Sequence, residues 1–205
     1  MSFFVMEGID GAGKTSAAEA VRRWLESKGH HVVLLREPGS TPVGERVRKI
    51  LLDPEVGDLE PWTEACLFTA CRAEMVPTLI KPALDDGRIV ILDRYFYSTV
   101  AYQGFAGSAD VDLLMRLSLE AVQGLQPDQV FLLDLPAQVG IGRLAGSHDR
   151  VEGRGEAYLE RVREGYLELA RRDPERWHIL DATEPEDAVA LAVMGFLSRR
   201  LNVEL

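Results

Sequence analysis

The chain has 205 residues, 46% of them hydrophobic and 27% charged, and this composition excludes a disordered or fibrous protein. Asp and Glu outnumber Lys and Arg by 33 to 23, so the net charge is −10. This balance argues against a protein that coats nucleic acid or an anionic membrane, since both partners need a basic face. A small anionic ligand needs only a local cluster of positive charge. The length fits one domain over residues 1–205.

Neither the apolar segments nor the cysteines indicate a membrane or an oxidising compartment. No stretch reaches the roughly 18 uninterrupted apolar residues that a membrane helix needs, and the N-terminus lacks the features of a signal peptide. Cys66 and Cys71 lie in one apolar stretch, and we expect both thiols to be buried and reduced. We therefore expect a cytoplasmic protein without a membrane or nucleic-acid polymer as partner.

Short apolar runs alternate with longer segments of helical periodicity. Runs that are apolar on both faces are typical of a parallel sheet covered by helices on both sides. The runs that predict strands are 3–6, 32–35, 89–92, 130–133 and 178–180. This order predicts an α/β doubly wound fold with about five parallel strands.

The segments between these runs predict helices. Residues 14–27 carry apolar side chains at helical spacing, and residues 110–124 begin with an acidic cap and end at glycine. Residues 61–84 predict a long helical region that bends near Pro77 and Pro82, because proline lacks the N–H donor.

Residues 8–15 read G-I-D-G-A-G-K-T, a full match to the phosphate-loop pattern G-x-x-x-x-G-K-[ST] between a predicted strand and a predicted helix. The glycines let successive backbone N–H groups point inward as an anion nest, and the helix N-terminus adds partial positive charge. Lys14 can reach the β- and γ-phosphates of a nucleotide, and the Thr15 hydroxyl can ligate Mg²⁺. The only asparagine is Asn202, so the Asn-Lys-x-Asp motif of guanine-nucleotide switches is absent. The pattern therefore predicts a small P-loop kinase.

Further polar clusters accompany the predicted strands. Residues 36–41 follow the second strand, residues 93–95 end the third, and residues 98–104 come shortly after. Residues 68–72, with sequence F-T-A-C-R, lie on the long helical region. Because the carboxyl ends of parallel strands face the ligand crevice in doubly wound sheets, we expect these clusters to converge.

With these motifs the sequence resembles thymidylate kinases, which use ATP to phosphorylate dTMP to dTDP in dTTP biosynthesis. The motifs are E-G-I-D-G-A-G-K-T at 7–15, R-E-P-G at 36–39, D-R-Y at 93–95 and A-Y-Q-G at 101–104. Each short motif can arise by chance, but all of them in the family's order are hard to explain otherwise. The resemblance implies a P-loop nucleoside monophosphate kinase fold, a lid at approximately 143–155, Mg²⁺ as cofactor and a homodimer.

The resemblance also implies the residues of two substrate sites. The ATP site would consist of Gly8, Ile9, Asp10, Gly11, Ala12, Gly13, Lys14, Thr15 and Arg143. The dTMP site would consist of Asp10, Arg36, Phe68, Arg72, Arg94, Thr99, Tyr102 and Gln103. Lys14, Asp93, Arg94 and Arg150 would be the catalytic residues, and Thr15 and Asp93 would hold the metal.

The implied roles in the dTMP site make physical sense. Arg36 and Arg94 resemble the clamp on the acceptor phosphate, because guanidinium forks suit phosphate oxygens. The alternative for each is a surface salt bridge. Phe68 resembles the ring that stacks on thymine, with a core aromatic as the alternative. Arg72 lies one helical turn later and can donate to a base carbonyl.

The remaining dTMP residues surround the sugar and the base. Asp10 resembles the carboxylate that accepts from the 3′-hydroxyl, and Tyr102 resembles the tyrosine that lies against C2′ and disfavours a ribose hydroxyl. Thr99 and Gln103 are candidate neighbours of the base, and a plain helix-surface position is their alternative.

The sequence resembles the bacterial type of the family in which the extra cation comes from the lid, because positions 9–12 of the phosphate loop hold no basic residue. Arg150 is the first choice for that cation, with Arg143 and Arg154 as the next candidates. Arg143 has packing on adenine as its alternative. Asp93 either holds Mg²⁺ through water or orients the arginine that follows it.

Two other functions remain as alternatives. One is a P-loop kinase for another nucleoside or nucleoside monophosphate, against which Phe68, Arg72 and the 101–104 segment argue. The other is a non-catalytic nucleotide-binding subunit, against which the intact phosphate loop argues together with the pair of Asp93 and Arg94.

Overall fold

The computed structural model of the chain describes residues 2–144 and 154–205. Within these residues, parallel strands form one sheet in the order β2-β3-β1-β4-β5. The strands are β1 Phe3–Glu7, β2 Val32–Arg36, β3 Ile89–Asp93, β4 Gln129–Asp134 and β5 Trp177–Asp181. The predicted parallel sheet is confirmed, and each strand extends slightly beyond the apolar run that predicted it.

Helices surround the sheet. The α-helices among the described residues are α1 Lys14–Ser27, α2 Pro42–Leu52, α3 Pro61–Met75, α4 Lys81–Asp85, α5 Phe96–Thr99, α6 Val111–Ala121, α7 Ala137–Arg143, α8 Glu156–Arg172 and α9 Glu186–Leu201. A 3₁₀ turn lies at Pro54–Val56, and π-helical segments lie at Val76–Ile80 and Val100–Phe105. Helices α1 and α9 pack against each other, whereas α8 packs on the second π-helical segment.

The predicted helices are present, although α6 ends at Ala121, three residues before the predicted glycine. Helix α1 has the predicted bounds, and α6 begins where the Asp110 carboxylate accepts a hydrogen bond from the backbone N–H of Leu113 at 2.7 Å. Where the sequence predicts a bend, the structure has a π-helical segment that contains Pro77 and separates α3 from α4, and Pro82 lies in the first turn of α4. A proline at this point removes one helical donor, and the wider helical turn accommodates that loss.

The strand ends lie side by side at the carboxyl edge of the sheet. Asp93 of β3 is in register with Met6 of β1 on one side and with Arg36 of β2 on the other. The chain leaves β1 toward β2 and leaves β3 toward β4, so neighbouring strands send their connections in opposite directions. Such a switch point opens a crevice in doubly wound sheets, and the polar clusters that follow the strands meet there.

The expectation of two buried thiols is wrong for Cys66. Cys71 is buried, and burial raises the pKa of its thiol to about 11, whereas Cys66 is exposed. Both residues belong to α3, where five positions correspond to a rotation of about 140°, so the two side chains point to different faces. Among residues 2–144 and 154–205, none of the helices is both long enough and apolar enough to cross a membrane.

Candidate active site

A cavity of about 920 Å³ opens at the carboxyl edge of the sheet. Its wall is formed by the phosphate loop, the ends of β2 and β3, Phe68 of α3, residues of α2, the π-helical segment Val100–Phe105 and the turn before α9. The structure therefore brings the predicted clusters together around one space. Donor-side and acceptor-side residues face the same cavity, which is the arrangement that a transfer between two bound molecules needs.

The backbone of the phosphate loop requires glycine. Gly8 has a φ of +144°, and a Cβ there would lie 2.6 Å from the carbonyl oxygen of Leu133. Gly11 has a φ of +79°, and a Cβ there would lie 2.5 Å from the carbonyl oxygen of Gly140. The side chains of Ile9 and Ala12 are buried in the core, so these positions offer only backbone groups to a ligand.

Lys14 is buried at the first turn of α1, and its Nζ donates to the carbonyl oxygen of Ile9 at 2.7 Å. Burial lowers the pKa of Lys14 to about 8, and the positive charge of Arg94 lowers it too, against the opposing effect of Asp10 and Asp93. A bound anion would reverse this effect, because a negative charge next to an ammonium group favours its protonated form.

Thr15 and Asp93 form a hydroxyl–carboxylate pair beside this lysine. The Thr15 Oγ1 donates to Asp93 Oδ2 at 2.5 Å, which joins the phosphate loop to the end of β3. Oxygen ligands of this kind suit Mg²⁺, which protein sites usually hold through one or two side chains together with substrate phosphates and water. In the described residues no group of three or more His, Cys, Asp or Glu side chains could hold a metal ion by itself.

Arg94 lines the cavity and adopts a left-handed backbone conformation with φ of 70°. Its Nη1 donates to the carbonyl oxygen of Gly8 at 3.1 Å and to Ser98 Oγ at 3.2 Å, and its Nη2 forms an ion pair with Asp10. Burial alone would raise the pKa of Asp10, but the charges of Arg94 and Lys14 outweigh it and hold that pKa below its ordinary value. The surface-salt-bridge alternative therefore does not describe Arg94.

Tyr102 lies next to this ion pair. Its hydroxyl donates to Asp10 Oδ2 at 2.9 Å, and the guanidinium carbon of Arg94 lies 5.2 Å from the centre of its ring. Because Tyr102 belongs to the π-helical segment, the wider helical turn determines where its ring enters the cavity.

Arg72 is almost completely buried on α3. Its Nε donates to Glu37 Oε2 at 2.5 Å, and its Nη2 donates to Thr99 Oγ1 at 2.6 Å. Its Nη1 is buried and has no partner in the described part of the chain. Phe68, one helical turn earlier, is half-buried and lines the cavity, with its ring centre 5.9 Å from the guanidinium carbon of Arg72.

Gln103 is buried at the same wall. Its Nε2 donates to Glu64 Oε2 at 2.9 Å, and its Oε1 has no partner in residues 2–144 and 154–205. Thr99 and Gln103 are each 1% exposed and both line the cavity. The helix-surface alternative is therefore wrong for both residues.

Arg36 differs from Arg94 because its side chain is exposed. Its Nη2 lies 3.3 Å from Glu45 Oε1, and the same carboxylate oxygen accepts from the backbone N–H of Ser40 at 3.0 Å. The surface salt bridge that was the alternative for Arg36 is thus formed. The residue nevertheless lines the cavity on its acceptor side.

The candidate lid arginines have different positions. Arg150 lies outside the described residues, as does the whole stretch 145–153. Arg143 donates to the carbonyl oxygen of Ala182 at 2.9 Å, near the turn before α9. Arg154 forms an ion pair with Glu64 and donates to the hydroxyl of Tyr158 at 2.7 Å, so it lies on the acceptor side.

Glu7 and Tyr166, which were not identified from the sequence, belong to the hydrogen-bond network that supports Arg94. Glu7 is fully buried and accepts from the backbone N–H of Tyr95 at 2.8 Å, from Ser98 Oγ at 2.7 Å and from the Tyr166 hydroxyl at 3.0 Å. Burial raises the pKa of Glu7, although these hydrogen bonds and the charge of Arg94 oppose the shift. An acidic residue at the end of an apolar strand was the available signal for Glu7, whereas nothing in the local sequence marks Tyr166.

These features define a class of protein. A phosphate loop with a buried lysine and a threonine–aspartate pair lines one cavity together with the partly buried Arg94 and a wall of buried polar side chains. This is the arrangement of a P-loop kinase that binds its phosphoryl acceptor beside the nucleotide.

The comparisons with known proteins identify the family. A sequence profile described as thymidylate kinase matches residues 6–193. The thymidylate kinase of Pelotomaculum thermopropionicum is 44% identical over 94% of this chain and 90% of its own length. That of Deinococcus radiodurans is 41% identical over 97% of both chains. The crystal structure of thymidylate kinase from Ehrlichia chaffeensis is similar with a TM-score of 0.80 and 32% identity, covering 96% of this chain and 98% of that one. The chain belongs to the thymidylate kinase family.

Proposed function

We propose that the cavity carries out direct in-line transfer of the γ-phosphoryl group of ATP to the phosphate of dTMP. As a member of the thymidylate kinase family, the chain is an ATP-dependent phosphotransferase that converts dTMP to dTDP in dTTP biosynthesis. The observation that supports the proposed geometry is the position of Arg94, which lines the same cavity as the buried Lys14. No phosphorylated form of the enzyme is needed, since donor and acceptor can be bound together.

On the donor side, the inward amides of the phosphate loop and Lys14 would hold the ATP phosphates. Thr15 and Asp93 would hold Mg²⁺, which supplies positive charge to the phosphates when bound. Arg143, fixed by the carbonyl oxygen of Ala182, would pack on the adenine. The role of Lys14 then depends on its protonated form, which the bound polyphosphate stabilises.

On the acceptor side, Arg94 would bind the dTMP phosphate and Asp10 would accept from the 3′-hydroxyl. Tyr102 would lie against C2′ and exclude a ribose hydroxyl. Arg36 would join the phosphate clamp after it leaves its exposed carboxylate partner, an exchange that is inexpensive because surface ion pairs contribute little.

The base would lie between Phe68, which stacks on it, and the buried polar wall. The Nη1 of Arg72 has no protein partner among the described residues, and a base carbonyl would supply one. Thr99 would contribute by holding Arg72 in place, and Gln103 would contact the base edge with its remaining polar atom.

The transfer step itself needs alignment and charge neutralisation. The acceptor phosphate is largely ionised at neutral pH, so no general base is required. We propose that Arg150, in a lid over approximately 143–155, supplies the additional cation. Arg143 and Arg154 already hold partners at the two ends of that stretch, which supports Arg150 as the choice.

The test is a panel assay of ADP formation with ATP, Mg²⁺ and a set of nucleosides and nucleoside monophosphates. We expect dTMP to be the best acceptor. ADP formation with another monophosphate or a nucleoside, but not with dTMP, would favour another P-loop kinase. ATP binding without any transfer would favour a non-catalytic subunit.

We also propose that the chain is one kinase domain and forms a homodimer in the cytoplasm, without a membrane or nucleic-acid partner. Helices α2 and α3 pack together and expose Val43, Ile50 and Trp62, which supports an apolar contact between two copies. Sedimentation analysis should give twice the mass of 22.8 kDa, and Ile50→Glu should shift the protein toward the monomer. A monomeric wild-type protein at micromolar concentration would contradict the dimer.

A further inference from the structure

The buried contact between Glu64 and Gln103 determines which polar atom Gln103 offers to the cavity. We propose that Glu64 is a positioning residue that fixes the orientation of the Gln103 amide and thereby selects bases with an N–H at position 3, namely thymine and uracil. This inference rests on the proposed function, since it concerns the acceptor base of the same site.

The orientation follows from the chemistry of the two groups. A carboxylate only accepts hydrogen bonds, whereas an amide has a donating end and an accepting end. The Gln103 Nε2 donates to Glu64 at 2.9 Å, so Oε1 is the atom that remains, and it is buried without a partner in the described part of the chain. Glu64 is 0% exposed and Gln103 is 1% exposed, so bulk water does not compete for this contact. An amide turned the other way would bring two accepting oxygens together.

Arg72 lies directly behind this wall, where it is 1% exposed and donates to Thr99, a residue that lines the cavity. Oε1 of Gln103 is a buried acceptor and Nη1 of Arg72 is a buried donor, both without partners among the described residues. Thymine and uracil present the complementary pair, an N3–H donor beside the O4 acceptor. Cytosine presents the reverse pair, an N3 acceptor beside an amino donor. With the amide fixed in this orientation, cytosine would place its N3 acceptor against the Gln103 oxygen and its amino donor against the Arg72 donor.

Arg154 holds the Glu64 carboxylate in place. It forms an ion pair with the Glu64 carboxylate and is itself held by the Tyr158 hydroxyl, which donates to the carbonyl oxygen of Tyr102. Arg154 contacts one carboxylate oxygen of Glu64 and the Gln103 amide contacts the other, so the ion pair fixes the carboxylate against which Gln103 is oriented.

The test is Glu64→Gln, which keeps the shape of the side chain but can accept or donate, so that Gln103 can adopt either orientation. We expect kcat/KM for dTMP and dUMP to fall together, and the ratio of dCMP to dTMP activity to rise roughly tenfold to a hundredfold. dCMP should remain poorer than dTMP because Arg72 still faces its amino group. Glu74→Gln is the matched control, since Glu74 is an exposed residue of the same helix, and it should leave the ratio unchanged.

The outcomes separate this inference from the proposed function. If the wild-type protein does not phosphorylate dTMP, the proposed function fails and this inference fails with it. If the wild type does so, but folded Glu64→Gln retains the wild-type ratio of dCMP to dTMP, Glu64 is only structural. If Glu64→Gln does not fold, Glu64→Asp keeps the charge and withdraws the carboxylate from Gln103. The ratio should then rise several-fold, and an unchanged ratio would overturn the inference.

Discussion

The two halves of the cavity are built in different ways. The donor half comes mainly from one continuous segment, residues 8–15, which offers backbone groups to a ligand, and Asp93 and Arg143 are added from elsewhere in the chain. The acceptor half is assembled from side chains that are far apart in the chain: Arg72 reaches Glu37 across 35 positions, and Arg154 reaches Glu64 across 90. A polyphosphate needs the same amide nest in every enzyme that binds it, whereas a particular acceptor needs particular side chains.

The halves also differ in how firmly they hold their positive charge. Burial lowers the pKa of Lys14 to about 8. Burial by itself would also lower the pKa of Arg94, but the neighbouring Tyr102 and Asp10 raise that pKa well above its ordinary value. In mildly alkaline solution Lys14 of the donor half should therefore lose its positive charge, whereas Arg94 of the acceptor half should keep its own.

The largest effect is expected for Arg150, the proposed lid cation that would act between the two halves of the cavity. Arg150→Ala should lower kcat on the order of 10³-fold with little change in the KM for dTMP, because a lid cation stabilises the charge of the transition state. Arg171→Ala removes an exposed arginine of α8 and serves as the control in steady-state kinetics. A kcat near the wild-type value in the Arg150 variant would remove this residue from the role.

Raising the pH should affect the donor half first. Above pH 8 the free enzyme loses the Lys14 proton, so kcat/KM for ATP should fall by about tenfold per pH unit. Bound ATP raises the pKa of Lys14, so the fall in kcat should begin at higher pH. With saturating ATP, kcat/KM for dTMP should stay level to pH 9 because Arg94 remains charged. A value of kcat/KM for ATP that stays constant up to pH 10 would contradict a pKa of about 8 for Lys14.

Arg154→Ala should produce a smaller effect, confined to the acceptor half. We expect the KM for dTMP to rise about tenfold with kcat nearly unchanged, since the variant loosens Glu64 and Tyr158 without touching the donor site. The opposite pattern, a kcat lowered about 10³-fold with an unchanged KM, would make Arg154 the catalytic cation in place of Arg150.

The smallest effect is expected for sugar discrimination. Tyr102→Ala should raise activity on the ribonucleotide relative to dTMP by a few-fold, because the ring no longer excludes the 2′-hydroxyl. Tyr102→Phe keeps the ring and loses the hydrogen bond to Asp10, so its activity should fall for both substrates at a similar ratio. Competition assays with both nucleotides measure this ratio, and an unchanged ratio in Tyr102→Ala would exclude the ring from discrimination.

The donor half could be predicted from the sequence because local rules determine it. The strand before residue 8, the glycines and the helix beginning at Lys14 are all neighbours in the chain, and the structure retains each of them. The convergence of the strand-end clusters also followed from the sequence, since the ends of parallel strands always share one edge.

The acceptor half could be predicted only as a set of residues. The partner of Gln103 is 39 positions away, and Tyr166 reaches Glu7 across 159, distances over which hydrophobic periodicity carries no information. The π-helical segment that places Tyr102 follows from packing against α8. Arg36 looked equivalent to Arg94 by motif, yet Arg36 is exposed beside Glu45 whereas only 15% of the Arg94 side chain is exposed, because β2 is the edge strand and β3 is central.

A crystal structure with dTMP and a non-hydrolysable ATP analogue bound together tests the account most directly. We predict the dTMP phosphate on Arg94, the thymine ring on Phe68 with its N3–H toward Gln103, and the polyphosphate in the amides of residues 8–15. A dTMP molecule bound elsewhere, or in the cavity with its phosphate away from Arg94, would contradict the division of the cavity into these two halves.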